Sequence, residues 1–148
     1  MSGLKLAAAD AEDLEILSAR LQDATAKLKN ITWLPGRRRF AMVMNRYRWE
    51  ADRDTRVLAG LHFDSVLKVQ SQNIKLGAGE AVVSLLAIRF TGNNVQDGED
   101  KDPGGVIELT FAGGGAIRLT VECIDAELAD LTRPWAARGR PDHDRDGM

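Results

Sequence analysis

At 148 residues, 44% of them hydrophobic, the chain has the size of one domain with a core of its own, and it needs no disulfide or metal to fold. Its 20 Lys and Arg stand against 22 Asp and Glu, a net charge of -2 that argues against a general nucleic-acid binder. The single cysteine, Cys123, excludes an intramolecular disulfide and a zinc cluster, and points to a reducing, cytoplasmic setting.

The opening MSGLKLAAADAEDLEIL has too short an apolar run for a secretion signal, and acidic residues follow it at once. The longest apolar stretch, Ala81 to Ile88, has strand length, so no membrane insertion is expected. Asp10 stands as an N-cap before AEDLEILSARL, where Leu14, Leu17 and Leu21 recur at three and four; this predicts an amphipathic helix from about Ala11 to Leu21. From Ala24 the period becomes two, and the phase slips before Ile31 and Trp33, which a bulge at Lys29 or Asn30 would correct. Pro35-Gly36 reads as a type II turn. The strand that follows, Arg38 to Trp49, sends Phe40, Met42, Met44, Arg46 and Arg48 to one face and Tyr47 and Trp49 to the other.

Arg56 to Phe63 alternates again, and a second slip at Asp64-Ser65 implies a bent strand or a corner. Gly77-Ala78-Gly79 reads as a turn, AVVSLLAIRFT as a buried strand, and GNNVQDGEDKDPGG as an exposed acidic loop. VIELTF and AIRLTVE flank three glycines as a hairpin. Ile124, Leu128 and Leu131, spaced by four and three and followed by Pro134, predict a C-terminal helix. Residues 1–135 are therefore expected to form one domain, with 136–148 a disordered tail. The expected fold class is α+β: a bent antiparallel sheet of six or seven strands with a helix at each end.

The stretches SARLQDATAKL, RRRFAMVMNRYRWE, VLKVQSQNI and FAGGGAIRLTVECIDAELADL resemble a bacterial family known as domain of unknown function 2948, which implies no activity and no site residues. LHFDSVLKVQSQNIK and GGAIRLTVECIDAELADL are similar to the strand-corner-strand and the last strand plus plug helix of the pleckstrin-homology-like superfold. That resemblance implies a split barrel closed at one end by a C-terminal helix, and leaves function open.

No catalytic set emerges. His143 falls in the expected tail, His62 reads as a polar edge position, and no nucleophile-elbow pattern surrounds Cys123, Ser65 or Ser84. A calcium reading of the acidic loop fails at Val95 and Gly104, so neither metal nor cofactor is expected. Charge is more informative. Arg37 to Arg56 holds seven Arg against three acids, whereas Gly92 to Arg133 holds three basic and nine acidic residues. The stretch Asn45, Arg46, Tyr47, Arg48 and Trp49 thus becomes the candidate binding surface of a noncatalytic module that recognises a protein segment or a small anionic ligand. The alternative is an enzyme whose site gathers scattered polar groups such as Asp23, Asn45, Arg46 and Arg48.

Overall fold

A computed structural model of the chain describes residues 3–75, 79–93 and 102–137. Strands dominate it, and the only α-helix among the described residues is α1, Ala11–Arg20. The strands are β1 Lys5–Ala8, β2 Thr25–Lys27, β3 Ile31–Leu34, β4 Arg39–Tyr47, β5 Thr55–Phe63, β6 Val66–Gln72, β7 Val82–Gly92, β8 Gly105–Phe111, β9 Ala116–Val121, β10 Ala126–Asp130 and β11 Trp135–Ala136. They follow one antiparallel path, β1-β10-β5-β4-β2-β7-β8-β9-β6, with β3 added beside β4 and β11 beside β5.

Helix α1 forms as its sequence requires. The Asp10 carboxylate accepts from the Asp13 amide at 2.7 Å, satisfying a free N–H of the first turn, and Leu14, Leu17 and Leu21 are buried. The first phase slip is a 3-10 turn, Leu28–Asn30, which separates β2 from β3 and reverses which residues face inward. The Pro35-Gly36 hairpin also closes through a 3-10 turn, Pro35–Arg37, and the left-handed residue is Arg38 (φ 52°) rather than the glycine. At the second slip Ser65 takes φ 60°, so β5 ends at Phe63 and β6 sets off against a different neighbour, β9. This corner lets one chain segment serve both halves of the sheet. Between those halves lies the core, with Phe40, Met42 and Met44 of β4 facing Leu109 and Phe111 of β8, Leu119 of β9 and the leucines of α1 in one buried cluster.

The expected α+β class with helices at both ends is corrected. The segment read as a C-terminal helix is β10, paired with β5 from Ala126↔Phe63 to Asp130↔Ala59 and on its other side with β1. Ala126 and Leu128 are buried and Glu127 is not, a period of two that a central strand imposes. Among the described residues no helix therefore plugs the sheet. LKLAAA, read only as too short for a signal, supplies β1; its Leu6 packs against the core. Ala136 closes β11 against Thr55, so order extends past Trp135, while 138–148, and with them His143, lie outside the described residues. The acidic loop reading falls mostly on 94–101, also outside them, as does all but Gly79 of the first glycine turn.

The entry to β8 is packed too closely for any side chain. A Cβ on Gly105 would lie 2.3 Å from the Thr91 carbonyl oxygen and 2.8 Å from the Phe90 ring, whereas one on Gly36 would meet nothing within 4 Å. Gly105→Ala is expected to lower unfolding free energy by about 2–4 kcal/mol, against ~0.5 kcal/mol or less for Gly36→Ala, measured by urea denaturation.

Candidate functional site

Strand β4 places Phe40, Met42, Met44 and Arg46 on the core face, and Arg46 is fully buried there. A guanidinium in that position must be paired, since leaving it without carboxylates would cost far more than the fold can supply. Two carboxylates meet it. Asp130, at the end of β10, takes Arg46 Nε and Nη2 at 2.9 Å each, and Glu50 takes Nη1 at 3.0 Å and Nη2 at 2.8 Å. The Leu4 amide donates to the second Asp130 oxygen at 3.0 Å, so β1 is tied into the same network. Burial opposes the charge on Arg46 most strongly, but the hydrogen bonds it donates to Glu50 and Asp130, with the charges of those carboxylates, outweigh it and raise the pKa above the usual arginine value. Glu50 is likewise pushed up by burial and pulled down further by Arg46, its own backbone and the nearby charge of Arg20, so its net shift is downward.

Arg46 is therefore no exposed ligand-binding group. Tyr47 is also buried, its hydroxyl on the Asp54 carboxylate and its ring in a T-shaped contact with Trp49 at 4.8 Å. Both faces of the strand are covered here because β4 ends at Tyr47 and the chain turns back, with the Ala51 amide donating to the Arg48 carbonyl. Trp49 Nε1 donates to the Gln22 carbonyl at 3.0 Å. Asn45 is on the outer face, where its side-chain oxygen accepts from Arg56 at 3.0 Å.

Arg48 remains. It leaves the strand after Tyr47, holds Thr55 Oγ1 at 3.1 Å and stands 4.0 Å from Glu50, yet its Nε is enclosed without a hydrogen-bond partner. It lines a cleft of about 290 Å³ together with Gly3, Asp130, Thr132 and Arg133. Arg133 makes no ion pair among the described residues. The cleft was not legible at Arg133 or Thr132, which lie in a segment read as helix end and Pro-marked stop. Of the four polar groups of the enzyme reading, Arg48 lines this cleft, Arg46 is committed to Asp130 and Glu50, and Asn45 lines a separate depression beside Val43 and Leu58.

The remaining candidates find structural places. His62 is on the central strand β5 rather than at an edge, between Asp64 (Nδ1 to Oδ2, 3.2 Å) and Glu127 (Nε2 to Oε1, 3.6 Å). Arg38 pairs with Glu122 of the acidic segment at 2.6 Å, and Arg39 with Asp64, at the end of β5, at 2.7 Å, so both are engaged in ion pairs within the chain. Cys123 is half-buried and follows β9, not a helix. Among the described residues no three His, Cys, Asp or Glu side chains gather as metal ligands, and no helix is long and apolar enough to cross a membrane.

A family model described as "Protein of unknown function (DUF2948)" matches residues 4–143, and the chain belongs to that family. No curated protein and no solved structure matches it.

Because the Glu50 pKa is depressed on folding, its contribution is present at neutral pH and is lost as the pH falls through and below the ordinary carboxylate range, near ~4.3. Denaturant midpoints measured from pH 7 to pH 3 should fall for the wild type, and fall less steeply for Glu50→Gln, which starts lower at pH 7.

Proposed function

We propose that this protein is a noncatalytic binding module that takes a small anionic group, carboxylate- or phosphate-sized, in the cleft between Arg48 and Arg133. The observation that carries this reading is the cleft's pair of arginines, Arg48 and Arg133, of which Arg133 makes no ion pair among the described residues. Around it stand Arg20, Arg46 and Arg48 near Glu50, with Arg133 across the cleft, against the two carboxylates Glu50 and Asp130. Asp130 already receives three N–H donors, so its charge is compensated and does not repel an incoming anion. An arginine pair presents the planar donors that carboxylate and phosphate oxygens match. The same reading keeps the protein in the cytoplasm, on the ground of its one half-buried free thiol, and away from nucleic acid, on the ground of its net charge of -2.

Titration of the protein with inorganic phosphate at low ionic strength, followed by the Arg48 Nε–H signal in NMR, tests this. Saturable binding near ~1 mM is expected, weakened about tenfold in Arg48→Ala and abolished by moderate salt. No saturable shift up to about 20 mM, or equal binding by Arg48→Ala, would contradict it.

A further inference from the structure

An antiparallel sheet with one face on the core and the other in water reads apolar inward and polar outward. Strands β8 and β9 obey this, with Glu108, Thr110, Arg118 and Thr120 on the outside. In the other half of the sheet the outward residues are instead Ala41 and Val43 of β4, Leu58 and Gly60 of β5 and Ala129 of β10. Leu131, just past β10, folds back beside Gly60. The register sets these residues in rows: Val43↔Gly60↔Ala129, and two residues along, Ala41↔His62↔Glu127. Val43, Gly60, Ala129 and Leu131 line an open depression of about 350 Å³. The bulky members of the face are in water, with Val43, Leu58 and Leu131 at 37%, 36% and 57% exposure. A face of this composition is what two-sided burial of a sheet requires.

The remainder of the chain does not supply the cover, since residues 138–148 offer only Pro141 and Met148 as apolar groups. The charges around the face fit a second copy. On the β4 side of β5 stands Arg39, which grips Asp64 through Nε and Nη2 and has no partner for Nη1 among the described residues. On the β10 side, nearly level with it, stand the exposed Asp125 and the half-exposed Glu127, whose nearest approach to His62 is 3.6 Å. Strand β5 is the middle one of the five that carry the face, β3, β4, β5, β10 and β1. We propose that two copies of this chain pair face to face through the outer surface of β4, β5 and β10, related by a two-fold axis along β5. The axis lays β4 of each copy over β10 of the other, so Arg39 meets Asp125 and Glu127 twice and Val43 meets Ala129, the self-complementarity that an isologous contact demands. Gly60 and Ala129 let the two sheets approach to the ordinary spacing of about 10 Å, with the two His62 rings meeting on the axis, each beside its own Asp64. Lys29, held by Glu80, and Lys5 of β1 rest at the margins. Five strands about 4.8 Å apart, with outward positions from Arg39 to Asn45 at about 3.4 Å per residue, give a face of roughly 20 by 20 Å, small for a specific interface, so the dimer is weak. Leu131 borders the arginine cleft, and the test below leaves Leu131, Arg48 and Arg133 as they are.

Sedimentation velocity of the wild-type chain from about 2 to 500 µM tests this, with conversion of monomer to dimer expected at about 10–100 µM. Leu58→Glu alters an exposed position and should stay monomeric throughout, with its melting temperature within about 3 °C of the wild type. Arg39→Glu and Glu127→Arg should each weaken the pairing at least about fivefold, because each sets like charges against one another at both contacts. An equimolar mixture of these two variants should dimerise again, since both contacts of the mixed pair then join opposite charges. A wild-type chain that is monomeric at every concentration, a dimer indifferent to Leu58→Glu, or a mixture of the folded charge variants that does not recover would each overturn the proposal.

Discussion

The ion network of Arg46 with Asp130 and Glu50 is the constraint on which the sheet depends. Arg46 occupies the fourth inward position of β4, after Phe40, Met42 and Met44, where an apolar side chain would be the ordinary choice. Asp130 occupies the matching place at the end of β10, 84 residues away, with its side chain 4% exposed. Each charge would be untenable alone in that position. Together, with the Leu4 amide and Glu50, they fasten β1, β4, β10 and the turn after β4 into one arrangement. Pairs of this kind add little net stability over a hydrophobic packing, but the loss of one partner is severe, so they act on which arrangement forms.

The opposite charges of the two chain halves have the same origin. Arg38 with Glu122, Arg39 with Asp64 and Arg46 with Asp130 join basic residues of the first half to acidic residues that arrive later in the chain. What looks in sequence like a basic face is largely consumed in assembling the sheet. Arg48, just beyond the last strand pairing, stands 4.0 Å from Glu50 and lines the cleft with Arg133. The arginine cleft is thus a by-product of the network: it forms where the excess of arginine over carboxylate comes to the surface.

Helix α1, the β3–β4 and β8–β9 hairpins and the corner at Ser65 were legible, because each rests on local signals: a capping aspartate, glycine turns and slips in alternation. The glycine hairpin closes with Gly113 and Gly114 at φ 88° and 93°, which the residue type announces. β10 was misread for a definite reason. In IDAELADL the apolar residues fit both periods, and Asp130 breaks the alternation of a strand, so spacing by four and three wins. Arg46 breaks the alternation of β4 in the same way. The two interruptions explain each other, and a complementary pair of charges at inward positions was the signal that could have found the contact. β1 gave none, since four residues at an edge carry too little pattern. The candidate surface failed for a related reason: alternation assigns a face but not what covers it, so Arg46 and Tyr47 were read as accessible when both are buried.

The central claim is that Arg46 and Asp130 act as a single structural unit, and a double-mutant cycle measures that directly. Urea unfolding of Arg46→Met, Asp130→Ala and the double variant should show each single change costing about 3–5 kcal/mol, with the double variant less destabilised than their sum by ~2 kcal/mol or more. Costs that add to within about 0.5 kcal/mol would mean that the two charges do not depend on each other, and would contradict the account.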